Sequence, residues 1–386
     1  MSNRKRDKVS PGDCLQSLLM FLPDLRGGGA QRTVVNLFNH LDRSAFDPVL
    51  VTGSARGPLL ESITDRRGIV DLEKARVREA ILPLGKQIIT HRPRLLFSAY
   101  PDGNIALMIA KFLSRHKGAV ILRESNHRSA QGNPWGPIKG CAVAWSYRKA
   151  DRVVALSNGV RDDLITRYGL QPEKVKTVYN PVELAFIAKA ATANCEDLVE
   201  EKDSFRILSA GRLVRQKGFD ILINAVARLR PLNIRLTILG EGEDRKDLLN
   251  LAERLGVKER VFLPGFQKNP YSWMGRSDLF VLSSRWEGFG HVIVEAMASG
   301  TPVLSTRCKS GPEEIITDGV DGILCEPESV EDMAEKIHFM IRNPDARARL
   351  SQAGRRTMGR FEAGRIAKEY EALFQSVLEE AESHGR

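Results

Sequence analysis

The stretch 278–300, DLFVLSSRWEGFGHVIVEAMASG, constrains the fold more than any other. Asp278-Leu279-Phe280-Val281-Leu282 is a short apolar run of the kind that forms a strand buried on both faces. Ser283 and Ser284 end it, and Glu287-Gly288-Phe289-Gly290 makes a tight loop. From His291 the apolar spacing turns helical, and Gly300 with Pro302 stops the helix before the next strand at 302–305. A strand, a glycine loop, a helix and a strand in this order predict one unit of a parallel, helix-covered sheet.

Two carboxylates interrupt this unit. Glu295 lies within the apolar run VIVEAMA, where an unpaired charge is costly to bury. It needs a fixed donor: an arginine, a backbone amide or a ligand hydroxyl. Glu287 lies in the loop, where Gly288 and Gly290 let a ligand approach the backbone. The helix that follows offers free N–H groups, including that of His291, and a positive dipole end suited to phosphate. Taken as isolated residues, the two glutamates have a plainer reading: one on a core arginine, the other in solvent.

The same unit opens the chain. A buried strand is predicted at 15–22, a glycine loop at 23–29 containing Gly28 and Gly29, and an amphipathic helix at 30–41 with Val34, Leu37, Phe38 and Leu41 on one stripe. The loop is not a dinucleotide fingerprint, because Arg32 stands where the last glycine belongs, and it is not a P-loop. Further strands are expected at 48–52, 95–98, 119–122, 152–156 and 175–179, with helices at 58–67, 77–91, 104–114, 136–148 and 159–168 between them. Asn180-Pro181 closes this series, and the polar, acid-rich stretch 183–204 reads as a linker. A second series has strands at 206–210, 234–239, 261–263, 278–282, 302–305 and 322–325, followed by helices from 330 to 380. Two doubly wound parallel-sheet domains follow: 1–185, a linker at 186–204, and 205–362.

Composition narrows the class. Hydrophobic residues at 42% and charged residues at 27% suit a soluble globular protein, and no apolar run reaches the roughly 20 residues a bilayer span needs. Five scattered cysteines without a C-x-x-C pair predict reduced thiols and a cytoplasmic location. The net charge of +10 comes entirely from residues 1–190, since the remainder has more acids than bases. An anionic substrate, an anionic membrane surface or nucleic acid would each answer that charge.

Chemistry-bearing residues collect at the ends of strands. Gly211 turns the chain after 206–210 and places Arg212 and Lys217 at the sheet's mouth, where open α/β sheets bind ligands and where cations can meet an anionic one. Two surface bases near a helix start would look the same. Gly240 and Gly242 follow 234–239, either to admit a nucleotide or to cap the strand. In the first half, Arg123-Glu124-Ser125-Asn126-His127-Arg128 follows a strand, and His127 is either a cleft residue or a solvent-facing loop histidine. No flanked D-x-D and no zinc spacing appear, so no metal is expected.

Together these motifs resemble the retaining family-four glycosyltransferases of the GT-B fold. The resemblance is carried by EGFGHVIVE, GRL with KGFD, VFLPGF and the GGGAQ loop. It implies that Glu287 contacts the transferred sugar and Glu295 the ribose. It also implies that Arg212 and Lys217 stabilise the leaving diphosphate, that backbone near Phe266 meets the base, and that the Gly28-Gly29 loop closes over the phosphates. Gly211, Gly240, Gly242, Gly288, Phe289, Gly290 and the His291 amide would complete the donor pocket, with His127 near the sugar. Gln31 departs from the family's usual acidic residue. A segment SGPEEI at 310–315 would pack beneath the pocket, and a final helix at 363–386 would cross back to the first domain. The expected reaction moves a hexosyl unit from a UDP-sugar to a glycan or lipid-linked acceptor hydroxyl, with retention and without a cofactor. The run TVYNPVE leans toward lipopolysaccharide, capsule or lipid-linked oligosaccharide enzymes. Trp135, Ile138, Ala142 and Trp145 with Lys139, Arg148 and Lys149 would form a docking helix on the cytosolic membrane face, or else a core stripe. A UDP-sugar epimerase shares this architecture. A nicotinamide oxidoreductase lacks its fingerprint here, and a nucleic-acid binder leaves E-x7-E with Arg212 and Lys217 unexplained, so no nucleic acid is expected.

Overall fold

A computed structural model describes residues 15–131, 136–194 and 203–385. The apolar runs form two all-parallel sheets. The first contains β1 (Gln16–Asp24), β2 (Phe46–Ser54), β3 (Ile69–Asp71), β4 (Leu95–Ser98), β5 (Ala119–Glu124), β6 (Arg152–Ala155) and β7 (Val175–Thr177), in the order 3-2-1-4-5-6-7. The second contains β8 (Phe205–Ala210), β9 (Ile234–Leu239), β10 (Val261–Gly265), β11 (Leu279–Leu282), β12 (Val303–Thr306) and β13 (Ile323–Cys325), in the order 10-9-8-11-12-13. Helices cover both faces of each sheet, so the central strands are buried throughout: β4 and β11 expose none of their residues. The strand order reverses between β1 and β4 and again between β8 and β11. Crevices form at such points, outside the carboxyl ends of the strands.

Two expectations need correction. The 58–67 segment is two 3-10 turns, Pro58–Leu60 and Arg66–Gly68, rather than a helix. Asn39 takes its place in the bonding: its side chain donates to the Ser62 carbonyl (2.8 Å) and accepts from the Thr64 amide (3.1 Å), offering the backbone an alternative to helix. The three-residue edge strand β3 follows, too short to show a period. The stretch taken as an irregular linker begins with a helix, Leu184–Ala191, formed by the alanine-rich run LAFIAKAA. Ile187 and Ala191 are buried where it packs on the helix Pro270–Met274.

The final helix, Ala363–Ser383, lies on the first sheet. Tyr370 and Phe374 pack edge-on or tilted against Phe97, and Phe374 against Phe46, with ring centroids 5.6–6.0 Å apart. Where the chain crosses back, Val182 N donates to the Phe361 carbonyl (2.9 Å) and Ala363 N to the Val182 carbonyl (3.0 Å). The two lobes are thereby tied at their base, and both sheets present their carboxyl ends to the cleft between them.

Candidate active site

Two loops from adjacent strands of the second lobe meet at its switch point. The loop after β8 carries Gly211, Arg212 and Lys217, and the loop after β11 carries Ser283, Ser284 and Glu287. Lys217 Nζ lies 2.5 Å from Glu287 Oε1, and Ser284 Oγ donates to the same oxygen at 2.6 Å. Backbone links hold the loops in register: Ser283 Oγ donates to the Lys217 carbonyl (2.9 Å), Gln216 Nε2 to the Trp286 carbonyl (2.9 Å) and Arg285 N to the Gln216 carbonyl (2.8 Å). Gly218 has φ +61°, and a Cβ there would collide with the Ser283 carbonyl, so the approach of the loops requires glycine. Glu287 is buried, yet both donors use one oxygen. Its Oε2 has no partner among the described residues. Arg212, in the same loop as Lys217, is exposed, and its guanidinium has no partner among the described residues.

Glu295 follows on the helix His291–Ala298 and is also buried. Its donor is an arginine from the other lobe: Arg32, on helix Gly29–His40, places Nη1 2.9 Å from Glu295 Oε1 and 3.0 Å from the Tyr271 hydroxyl. Tyr271 in turn donates to Glu295 Oε1 at 3.1 Å, and the His291 ring sits 3.7 Å from that oxygen. Again the second oxygen, Oε2, is left without a partner among the described residues. Burial works against the Arg32 cation, but Glu295 and Tyr271 outweigh it and hold the guanidinium above its ordinary value. Burial, with Glu295 beside it, pushes the Tyr271 hydroxyl up, so it stays a donor. Burial also holds the His291 imidazole below its ordinary value.

The other predicted residues are distributed as follows. A Cβ on Gly29 would meet only open space, so packing does not demand glycine at that mouth position. Gly288 lies against the Ser125 backbone of the first lobe, where a side chain would collide, and Ser157 Oγ donates to its carbonyl at 2.7 Å. Gly240 and Gly242 abut the backbone of Gly211 and Leu213, which is the strand-capping alternative. Phe289 is buried against Tyr179 and Phe361, whereas Phe266 is 73% exposed at the end of β10. His127 is held within its own lobe, 3.8 Å from Asp163, and accepts from Ala130 N at 3.3 Å. The segment 310–315 does more than pack beneath the pocket. Glu314 reaches across to accept from Asn158 N (2.8 Å), Gly159 N (3.1 Å) and the Tyr179 hydroxyl (3.1 Å), capping a first-lobe helix from the second lobe.

Arg32, Tyr271, Ser284 and Glu314 were not singled out by sequence reasoning. Arg32 carried one signal, a charged side chain one turn into a helix that opens on a glycine loop.

Residues 27–186 match the Glycosyltransferase Family 4 model and residues 192–357 the model for glycosyl transferases group 1. The chain belongs to the group 1 glycosyltransferases. This glycosyltransferase is 39% identical, over 91% of its length and 97% of the relative's, to the lipopolysaccharide core biosynthesis glycosyltransferase LpsE of Rhizobium meliloti. It is 34% identical, over 69% of its length and 71% of the relative's, to the N-acetylgalactosamine-N,N'-diacetylbacillosaminyl-diphospho-undecaprenol 4-alpha-N-acetylgalactosaminyltransferase of Campylobacter jejuni. The glycosyltransferase also shares the fold of HepE from Anabaena, solved with UDP-glucose, at TM-score 0.76, 22% identity, 93% coverage of this chain and 99% of that one. Its fold is therefore GT-B.

Proposed function

We propose that this glycosyltransferase moves a hexosyl unit from a UDP-sugar to a hydroxyl of a glycan or lipid-linked acceptor, with retention and without a metal ion. One observation carries the donor reading. Glu287 and Glu295 are each fixed through a single oxygen, Glu287 by Lys217 and Ser284 and Glu295 by Arg32 and Tyr271, leaving one acceptor apiece free among the described residues, and Arg212 stands in the same loop as Lys217. Free carboxylate oxygens suit the hydroxyls of a sugar and a ribose, and the free guanidinium with the ammonium suits the diphosphate between them. The helix starting at His291 has Gly290 as its N-cap with no side-chain cap, so its first amides are also available to phosphate.

The chemistry follows from this placement. As the bond from the anomeric carbon to the diphosphate oxygen breaks, negative charge grows on the departing group. Arg212 and Lys217 stabilise that charge in the role a metal would otherwise take. Glu287 holds the sugar, and Glu295 holds the ribose. Arg32 fixes Glu295 from the opposite lobe, which makes it a positioning residue. The Campylobacter relative's name specifies a lipid diphosphate acceptor and the Rhizobium relative's name the lipopolysaccharide core, which supports a lipid-linked or surface-glycan acceptor here.

Among the described residues no helix is long and apolar enough to cross a membrane. The reading places the enzyme in the cytoplasm, peripheral to the membrane. Trp135 lies outside the described residues, but the helix Gly136–Lys149 turns Ile138 (87% exposed) and Trp145 outward and buries Val143 and Tyr147, as a docking helix would.

Incubating the enzyme with a panel of nucleotide sugars and a polyprenyl diphosphate-linked acceptor tests the reading. A UDP-sugar should be consumed only with acceptor present, and proton NMR should show the donor's anomeric configuration kept in the product. Epimerised donor without acceptor, or an inverted linkage, would overturn it.

A further inference from the structure

A cavity of about 440 Å³ opens at the amino ends of β4 and β5, on the edge of the first sheet opposite the cleft. Its floor is apolar, formed by buried Ile88 and by Leu378 of the final helix, with exposed Ile89 at the rim. Its mouth is basic. Arg92, Arg115 and Lys117 are exposed there, and none has a side-chain partner among the described residues.

The plain account of these cations is compensation of helix ends. Helices Val77–His91 and Pro101–Leu113 both finish at this edge, and each contributes about half a negative charge. The cavity's nearby carboxylate, Glu382, is already matched by Arg94. Three free cations against roughly one negative charge leave an excess of about +2. Backbone demands do not account for the residue types either. Arg92 (φ 43°) and Arg115 (φ 52°) both sit in the left-handed region, where helices commonly end on glycine. Two other surface arginines face acids instead: Arg307 has Glu313, Asp318 and Glu326 within 3.4 Å, and Arg67 has Asp65 at 2.9 Å. This edge is thus one place where the positive excess of the first 190 residues is left unanswered.

We propose that this cavity binds a phosphate-bearing ligand, its anionic group held by Arg92, Arg115 and Lys117 and its apolar part resting on Ile88, Ile89 and Leu378. The site is separate from the cleft, and the proposal does not depend on the donor reading. Two sources share this chemistry: a free phosphate ester and the headgroup of an anionic lipid.

The full-length enzyme and its Arg115→Ala/Lys117→Ala variant should be titrated calorimetrically with inorganic pyrophosphate, with UDP present to fill the cleft. Both should also be floated with phosphatidylglycerol vesicles and with phosphatidylcholine vesicles. A Lys246→Ala/Arg254→Ala variant removes the same charge from an exposed helix of the other lobe and serves as control. Both pairs are exposed, so the melting temperature should stay unchanged. Pyrophosphate binding weakened at least about tenfold in the cavity variant alone supports a free phosphate ligand. Unchanged pyrophosphate binding with selective loss of phosphatidylglycerol binding in the cavity variant supports a lipid headgroup. Identical behaviour of the cavity and control variants with both probes overturns the proposal.

Discussion

The two lobes have the same strand order at their centres and treat carboxylates at the carboxyl edge in opposite ways. In the first lobe, Glu124 at the end of β5 is fully buried and uses both oxygens. Oε1 accepts from Ser125 N (2.7 Å), Asn126 N (3.0 Å) and Arg128 Nη2 (2.8 Å), and Oε2 from Arg128 Nε (2.9 Å) and the Tyr147 hydroxyl (2.7 Å). The neighbouring Arg123 is equally enclosed, by Ser125 (2.7 Å), Tyr370 (2.9 Å) and Asn180. In the second lobe, Glu287 and Glu295 are buried to a similar degree, yet each keeps one oxygen open. A saturated buried charge builds a rigid wall; a half-saturated one is a site awaiting a donor from elsewhere. On the proposed function, the lobe that binds the donor is recognised by what its charges lack.

The sharpest way to break this contrast is Glu124→Ala. It strands the Arg128 guanidinium in a buried position, and stability should fall by about 3–5 kcal/mol in urea titration. UDP affinity of the folded fraction should stay near wild type, and a large loss of UDP binding would give the first lobe a donor role. Next, Lys217→Ala should lower turnover by roughly 10²–10³-fold with the fold retained by circular dichroism. Near-normal turnover would remove the lysine from the diphosphate. Arg32→Ala should reduce kcat/KM for the nucleotide sugar by about ten- to a hundredfold, with Arg32→Lys recovering part of it. If both variants match wild type in scattering measurements of lobe closure and in kinetics, the cross-cleft pair is not coupled to donor binding.

The smallest effect concerns pH. Burial holds the His291 imidazole below its ordinary value; Glu295 pulls it up, and Arg32 and Arg123 push it down further. The folded protein thus keeps a neutral ring where the unfolded chain gains a proton, near pH 6.5. Stability from this residue is present above that pH and falls below it, by at most about 1.4 kcal/mol per pH unit. Melting curves of His291→Gln should be flatter than wild type between pH 6.5 and 5; parallel curves would show that the ring does not contribute.

Much of this was legible because it is local. The β11 strand, its glycine loop and both glutamates fall within 23 consecutive residues, and the apolar runs and loop glycines show their structure at short range. The edge strand β3 and the turns at 58–68 were not legible. A three-residue strand carries no period, and the Asn39 bonds that replace a helix there come from a residue more than twenty positions away. The linker was misread for a related reason. Its acidic end dominated the composition, while LAFIAKAA became a packed helix because Pro270–Met274 offered a surface to bury Ile187.

By itself, the sequence determined two parallel α/β lobes, the position of a cation pair and a carboxylate pair at strand ends, and the membership in a transferase family that those motifs signal. Tertiary structure alone decided what completes them. Arg32 meets Glu295 across 263 residues of chain, and Glu314 caps a helix of the opposite lobe 155 residues away. Contacts of that span depend on how two separately folded sheets are brought edge to edge, and no period or spacing in the chain encodes that distance. The same placement leaves one oxygen of Glu287 and of Glu295 unpaired among the described residues, which is a property of the assembled cleft rather than of either glutamate.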